Sequence, residues 1–516
     1  MTDQDVRRER LRDLEDDAVT VSQLASAPKN RPLNPRRLLA LTFLLLIFAG
    51  TFLLMIPQAQ ASGHWAWMTP DQPFDLSFAI RQIIDNLFMA TSASCVTGLA
   101  VVDVPSYYTF LGQLVLLLCI QIGGIGIITL GTFLMTLLLG RMSAENETQV
   151  MLSYGAVSAS KTRLLLWRTM LYVFTFEAIG ALLLFIRYYW SHGYTFIQSL
   201  WFSLFHSISA FCNAGISLHT NNLIDIGNDW FYMLVIALLV TLGGIGFLVL
   251  TNLSQYHFWK RNLRQRGRIT LHSRLVLWST LALCGGGGLL FLAFEWNASL
   301  GANTGASLWD CLAAGQWQAA QETAHLYWVK FCEGISQTAM YRTAGFTFVP
   351  MDEISQPSNF VSILLMLIGG SPGSVAGGMK TTTIIVLFLT MRAMIRGNTD
   401  IQIHRRTISN AISREAMVIV FFYLLLVFAF YFILLFTERA LIAGRGDFSL
   451  FYEVTSAFGT VGMSLNATTL LTPFGRVFIS LAMFLGRIGP ISIAFMMAGH
   501  EITQRVRYPE ENITVG

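Results

Sequence analysis

Charge is what this chain has least of. Only 12% of its 516 residues are Asp, Glu, Lys or Arg, while 54% are hydrophobic and the mean hydropathy is +0.55. A soluble fold carries about twice that charge, so a water-soluble globular protein is excluded. Cysteine is scarce too. The six residues Cys95, Cys119, Cys212, Cys284, Cys311 and Cys332 show no metal-ligand spacing, and four of them fall in or beside apolar segments. That argues against a disulfide framework or a zinc module. No His/Asp/Glu metal cluster or nucleophile–base pair stands out, which leaves a membrane enzyme little support. Residues 1–36 are polar and mixed in charge, so no cleavable signal peptide is expected. They read as a cytoplasmic tail.

What is present is a series of apolar runs, each near the ~20 residues needed to cross a bilayer. The first, Leu38–Ile56, is closed by Pro57. Residues 58–80 hold Trp65, Trp67, Asp71 and Asp75 and no basic residue, as expected of an external interfacial loop. A short helix over roughly 81–93 then re-enters the membrane, and the run Phe110–Leu139 crosses back. The same unit recurs, with first helices expected near 168–189, 275–294 and 416–436 and second helices near 230–251, 359–391 and 474–498. The fold class is therefore an all-α polytopic membrane protein of four M1–P-loop–M2 repeats: eight transmembrane helices and four re-entrant pore loops around a pseudo-fourfold pore. The expected division is a tail over 1–34, repeats over 35–140, 164–255, 273–393 and 416–500, and a tail over 501–516.

The basic residues test this topology. Of 34 Lys and Arg, 25 fall in segments placed on one side, which by the positive-inside bias is the cytoplasm and holds both termini. The longest external loop, 296–329, contains Asp310 and Glu322 and no basic residue. The partner implied is the lipid bilayer of the inner (plasma) membrane, and nothing points to nucleic acid.

Four short strings sit between the paired helices and align without gaps on a glycine: CVTGL at Gly98, CNAGI at Gly215, RTAGF at Gly345 and GTVGM at Gly462. Ser-Ala lies six and five residues upstream in three of them, and Ala339-Met340 in the third. A recurring period marks a repeat architecture. Non-helical backbone at membrane depth is tolerated only inside protein or along a water-filled cavity. Four such segments can meet on one axis, where rings of carbonyls replace the hydration shell of a monovalent cation. Glycine supplies the positive φ this requires. The short helices would aim their C-termini, and partial negative charge, at the same axis. The filter candidates are Val96, Thr97 and Gly98; Asn213, Ala214 and Gly215; Thr343, Ala344 and Gly345; and Thr460, Val461 and Gly462, with K⁺ as the ion held. The plainer alternative, turns between helices, does not explain four copies in register.

Each second helix also carries a G-x-x-G, beginning at Gly123, Gly243, Gly370 and Gly486. This spacing permits close helix approach, and its recurrence suggests a common structural role. In the third repeat the helix is interrupted by GGSPGSVAGGMKTTT over 369–383, too rich in glycine and proline to stay helical. It reads as an intramembrane gate built from Gly369, Gly370, Ser371, Pro372, Gly373, Gly377, Gly378 and Lys380. Arg487 is expected beside it, bonding loop carbonyls and opposing cation passage; for Lys380, snorkelling to the cytoplasm is the alternative. Arg342 is expected to brace the third strand. Asp85, Glu333 and Glu453 lie on or before the short helices, where capping or packing competes with a role at the outer mouth.

From about residue 36 to 500 these features resemble the Trk/Ktr/HKT superfamily of potassium transporters. GGSPGSVAGGMKTTT is close to that family's intramembrane-loop motif, and Gly486-Arg-Ile-Gly-Pro490 looks more like the Ktr membrane subunit. The resemblance implies one pore per subunit, a homodimer, and a cytoplasmic nucleotide-binding regulatory (RCK/KTN-type) ring, for which loops 253–274 and 392–414 are suitable. It also implies potassium selectivity, since Gly98 is glycine where serine accompanies sodium permeation. Sodium remains a candidate activating ion, and no cofactor is expected. A cation-coupled secondary transporter is the alternative; repeats running in one orientation argue against it.

Overall fold

A computed structural model of the chain describes residues 35–61, 76–126, 129–130, 159–256, 269–295, 317–398, 400–403 and 406–489. The tails expected over 1–34 and 501–516, the ends of the second helices of repeats 1 and 4, and much of the two long external loops lie outside them. The helical bundle belongs to the compact unit that begins at Leu39.

The described chain is mostly helical. Repeat 1 comprises α1 (Pro35–Leu54), the short helix α2 (Leu76–Ser94), the single turn α3 (Val104–Tyr107) and α4 (Phe110–Ile125). Repeat 2 comprises α5 (Ala159–Ser191), the short helix α6 (Phe196–Phe211), and α7 (Trp230–Ile245), which bends by 96° into α8 (Phe247–Ser254). Repeat 3 comprises α9 (Leu271–Glu295), α10 (Trp317–Met340), α11 (Gln356–Leu367) and, after an interruption, α12 (Thr381–Ile395). The antiparallel hairpin β1 (Ile401–Ile403) and β2 (Arg406–Ile408) then leads to repeat 4. That repeat comprises α13 (Asn410–Thr437), α14 (Arg439–Arg445), the short helix α15 (Asp447–Gly459) and α16 (Pro473–Ile488). Among the described residues, α9, α13 and Leu166–Ser191 of α5 are long and apolar enough to cross a membrane, as is the bent α7–α8 pair taken as one span.

Boundaries shift where local chemistry decides them. The third re-entrant helix begins at Trp317, so the external loop expected over 296–329 is helical in its last part. The interruption of the third repeat ends at Lys380, and Thr381, Thr382 and Thr383 open α12 rather than belonging to the loop. Helix starts are fixed by side-chain caps. Thr195 and Gln198 form a capping box on α6, and Asp229 accepts from the Phe231 and Tyr232 amides at the start of α7, satisfying orphan donors.

The first and second helices of repeats 3 and 4 are clasped by an acid. Glu295 accepts from the Ser355 amide (3.1 Å) and hydroxyl. Glu438 accepts from the Thr472 amide (3.0 Å) and hydroxyl (2.5 Å). The outward faces remain apolar: Phe421 and Phe432 of α13 are 72% and 61% exposed, as suits lipid rather than water.

The packing of second helices onto short helices closes on itself. α4 of repeat 1 packs on α6 of repeat 2, α7 on α10, α11 on α15, and α16 of repeat 4 returns to α2 of repeat 1. In repeats 1, 2 and 4 the first glycine of the G-x-x-G seats a second helix on the short helix of its own repeat, whereas Gly370 of repeat 3 meets Ala376, Ser374 and Gly244 instead. A Cβ at Gly123, Gly243 or Gly486 would collide with the carbonyl oxygen of Ser94, Phe211 or Phe458. The last glycines end or bend the helices. Gly126, Gly246 and Gly489 share φ/ψ near +90°/+140° (89/129, 100/140 and 88/144).

Candidate ion pathway

The short helices end at the bundle centre, and each hands over to an extended strand with the same backbone alternation. Val96, Asn213, Thr343 and Thr460 have φ of +57°, +60°, +77° and +50°, and Gly98, Gly215, Gly345 and Gly462 have φ of +101°, +68°, +67° and +91°. The sequence made the glycine position legible. It did not reveal that the residue two places earlier also takes a left-handed conformation, since Val and Thr rarely do so. Such strain survives only where the surroundings over-determine it.

The surroundings here are the other three strands. A Cβ built on Gly98 would lie 2.5 Å from the carbonyl oxygen of Ala214 and 3.3 Å from the Cα of both Gly215 and Gly462. Gly215 abuts the Ala344 carbonyl, Gly345 the Val461 carbonyl (2.6 Å), and Gly462 the Thr97 carbonyl. The contacts run from repeat 1 to 2, 3, 4 and back to 1. Any side chain at these positions would enter the backbone of the next strand, so glycine is required by close approach as well as by φ.

The strands are anchored to their own helices. The amides of Thr97, Ala214 and Val461 donate to the carbonyls of Ser92, Ser209 and Ser456 at 2.8, 2.7 and 2.9 Å. In repeats 1 and 4 the serine hydroxyl also accepts from the strand glycine amide, at 3.0 Å for Gly98 and 3.1 Å for Gly462. In repeat 2 the Ser209 hydroxyl donates to the Ile216 carbonyl instead (2.8 Å). Repeat 3 has Ala339 there and no hydroxyl to offer, and its Ala344 amide donates to the Met340 carbonyl (3.0 Å). Asn213 and Thr343 meet side by side at 3.2 Å. With its oxygen accepting from Thr343, the Asn213 nitrogen donates to the carbonyls of Phe211, Ala210 and Val240. Thr97 Oγ1 and Thr460 Oγ1 are buried without a hydrogen-bond partner among the described residues, so both remain available as acceptors beside the strands.

Outside the glycines opens a cavity of about 370 Å³, lined by Gly98, Gly345 and Gly462 together with Asn222, Asp352 and Asn466. The three acids weighed as mouth charges are otherwise employed or buried. Asp85 pairs with Arg476, which also bonds the Leu471 and Thr469 carbonyls (3.1 and 3.0 Å). Glu453 accepts from Ser464 and Thr468 at 2.6 and 2.5 Å and so holds the turn after the fourth strand. Glu333 is 7% exposed and does not line the cavity.

On the other side of the strands lies the interruption of repeat 3, from Ile368 to Lys380. Its Ser371 and Val375 amides donate to the Gly244 and Gly243 carbonyls (3.0 and 3.4 Å), and its Gly373 carbonyl accepts from the Phe247 amide (2.9 Å). It therefore occupies the bend of the second repeat, where Gly246 lies against Pro372. Gly377 abuts the Thr460 hydroxyl and Gly378 the Gly459 carbonyl, which brings the loop directly under the fourth strand. Gly369 and Gly370 are buried within the loop's own fold, and Ser371 bonds Thr381 (3.1 Å).

Arg487 stands beside this loop. It donates to the Val375 carbonyl and to the carbonyls of Gly123 (2.5 Å) and Gly124 (3.3 Å), tying loop, repeat 1 and repeat 4 together. Lys380 does not snorkel: its Nζ turns back to the Ala376 carbonyl at 2.8 Å. Arg342 reaches away from the strand to Cys284 Sγ on α9 (3.5 Å), and so links the third strand to its first helix.

This geometry agrees with what the chain is similar to. The family model described as TrkH, cation transport protein, matches residues 62–504. The chain belongs to this family. It is 33% identical over 488 residues to the Ktr system potassium uptake protein B of Bacillus subtilis, covering 94% of this chain and 97% of that one. It is 30% identical over 486 residues to the potassium/sodium uptake protein NtpJ of Enterococcus hirae, covering 94% and 98%. The fold matches the crystal structure of the potassium transporter TrkH from Vibrio parahaemolyticus with a TM-score of 0.61 at 17% identity, over 92% of this chain and 87% of that one. The protein is thus a membrane cation transporter of the Trk/Ktr type, and not an enzyme.

Proposed function

We propose that this member of the family takes up potassium across the cytoplasmic membrane. The ion passes the ring formed by Val96–Gly98, Asn213–Gly215, Thr343–Gly345 and Thr460–Gly462, and the 368–380 loop gates its exit. The observation that carries this reading is the closed cycle of glycine-to-carbonyl contacts, Gly98 to Ala214, Gly215 to Ala344, Gly345 to Val461 and Gly462 to Thr97. Four strands held edge to edge around one axis, with their central carbonyls at the ring, suit a dehydrated monovalent cation. The eight-span topology with both termini in the cytoplasm, a homodimeric assembly and a nucleotide-binding regulatory ring on the basic inner face belong to the same proposal. Potassium is favoured over sodium because, in the superfamily the chain resembles, glycine at the position of Gly98 accompanies potassium selectivity. The name of the Enterococcus relative, which joins potassium and sodium, keeps sodium permeation as the second reading.

The test is growth of a potassium-uptake-deficient bacterium expressing the chain at low potassium, with and without sodium, alongside rubidium uptake. Rescue with rubidium accumulation is expected. Membrane-inserted protein that gives neither would overturn the proposal. Gly98→Ser is expected to admit sodium, and unchanged K⁺/Na⁺ discrimination in flux assays would overturn the assignment of the ring as filter.

A further inference from the structure

The four strands are not supported alike, and the exception is the third. In repeats 1 and 4 a serine of the short helix holds the filter glycine amide. In repeat 3 that serine is Ala339, so the same support is impossible. A strand with a left-handed, non-glycine Thr343 (φ +77°) lacks the anchor that repeats 1 and 4 keep.

The neighbouring repeat supplies a different support, at the carbonyl of the glycine rather than at its amide. The loop after the second strand folds over the third, where the Asn222 side-chain amide donates to the Gly345 carbonyl at 3.2 Å. One residue on, the Leu223 amide donates to the Thr347 carbonyl at 3.2 Å. The acceptor is a carbonyl, so the Asn222 atom facing it must be the nitrogen. Asn222 is itself fixed. It takes φ +58°, a conformation asparagine tolerates better than most residues. Its carbonyl accepts from Ser217 Oγ (3.2 Å), which also meets the buried His206 Nε2 (3.0 Å) and accepts from the His219 amide (3.0 Å). His206 stands on α6 and meets the Leu218 amide as well (3.3 Å). The loop that carries Asn222 is thus pinned to a helix of repeat 2 and reaches across to repeat 3.

We infer that Asn222 is a positioning residue for ion selectivity, setting the orientation of the Gly345 carbonyl from the adjacent repeat in the one strand whose short helix has no serine at the Ala339 position to brace it. The inference rests on the reading of the four strands as the filter. A carbonyl with a fixed donor cannot rotate toward a smaller ion as an unrestrained one does, and discrimination between K⁺ and Na⁺ depends on the number and orientation of such dipoles. Asn222 need not touch the ion; its effect passes through Gly345.

The experiment compares Asn222→Gly, which keeps the left-handed backbone and removes the amide, with wild type and Gly98→Ser, all reconstituted as full chain in liposomes. Rubidium and sodium uptake are measured on the same preparations. Asn222→Gly is expected to lower the K⁺(Rb⁺)/Na⁺ ratio by up to about tenfold, the scale of one lost hydrogen bond. Adding Ala339→Ser to it should recover part of that ratio, because repeat 3 then carries the hydroxyl of repeats 1 and 4. A role in stability alone would lower both fluxes together and leave the ratio fixed, which would overturn the inference. If Gly98→Ser alters the ratio and Asn222→Gly does not, Asn222 is dismissed and the filter stands. If neither alters it, the filter reading itself fails. Should Asn222→Gly not fold, Asn222→Asp, of equal size and without the donor, decides by the same ratio.

Discussion

The second helices of repeats 1, 2 and 4 and the second helix of repeat 3 break in different ways. Gly126, Gly246 and Gly489 each close a described helix, with φ of +89°, +100° and +88°, and in repeat 2 the next helix starts at once at Phe247. In repeat 3 the chain leaves the helix at Ile368 and does not resume until Thr381. A one-residue break frees a few backbone groups, which the next turn or a neighbour can satisfy. A run of this length frees many, and it takes its partners from elsewhere: Gly243, Gly244, Phe247 and Arg487. Segments held by a few hydrogen bonds between rigid helices are those that open at low cost. Among the described residues the long interruption lies in the third repeat, and the gate proposed for it rests on that difference.

The sharpest way to break that comparison is to make repeat 3 resemble the others. Deleting Gly370–Gly377 should raise basal cation flux by at least about tenfold, the change expected from losing 1.4 kcal/mol of barrier. A folded deletion variant with wild-type flux in liposomes would remove the loop from gating. Next in size is Arg487→Gln, which withdraws the charge from the carbonyls of Val375, Gly123 and Gly124. Flux should rise several-fold as the loop loses a partner and cations lose a repulsive charge; unchanged flux would leave Arg487 as packing. The smallest effects separate the single-glycine breaks from one another. Gly246→Ala places a Cβ 2.7 Å from the Pro372 carbonyl, whereas Gly489→Ala meets no described atom within 4 Å. Both incur the left-handed backbone cost of about 1–2 kcal/mol, but only Gly246→Ala should also change flux by displacing the loop. Equal effects of the two on thermal stability and flux would show that the loop does not depend on the bend of repeat 2.

Much of this arrangement was legible in the sequence because glycine is the residue whose absence of a side chain matters. Gly98, Gly215, Gly345 and Gly462 announced themselves by spacing, and the run after Ile368 by its inability to stay helical. Arg487 was legible as a charge needing carbonyls, and the loop supplies one. The rest depended on contacts between repeats, which no spacing encodes. Asn222 carries no local signal, and its partner Gly345 lies 123 residues away. The left-handed Val96 and Thr460 run against residue preference, so preference could not find them. Asp85 could be weighed only between capping, packing and the outer mouth because Arg476, its partner, is 391 residues distant.

The ring of strands can be tested without any mutation. Crystals or vitrified particles of the full chain in rubidium would show the ion directly, by anomalous scattering or by density that scales with rubidium concentration. Ion density on the axis beside the carbonyls of Thr97, Ala214, Ala344 and Val461 is expected. Rubidium bound at other places in the bundle, with none at those four carbonyls, would contradict the assignment of this ring as the path of the ion.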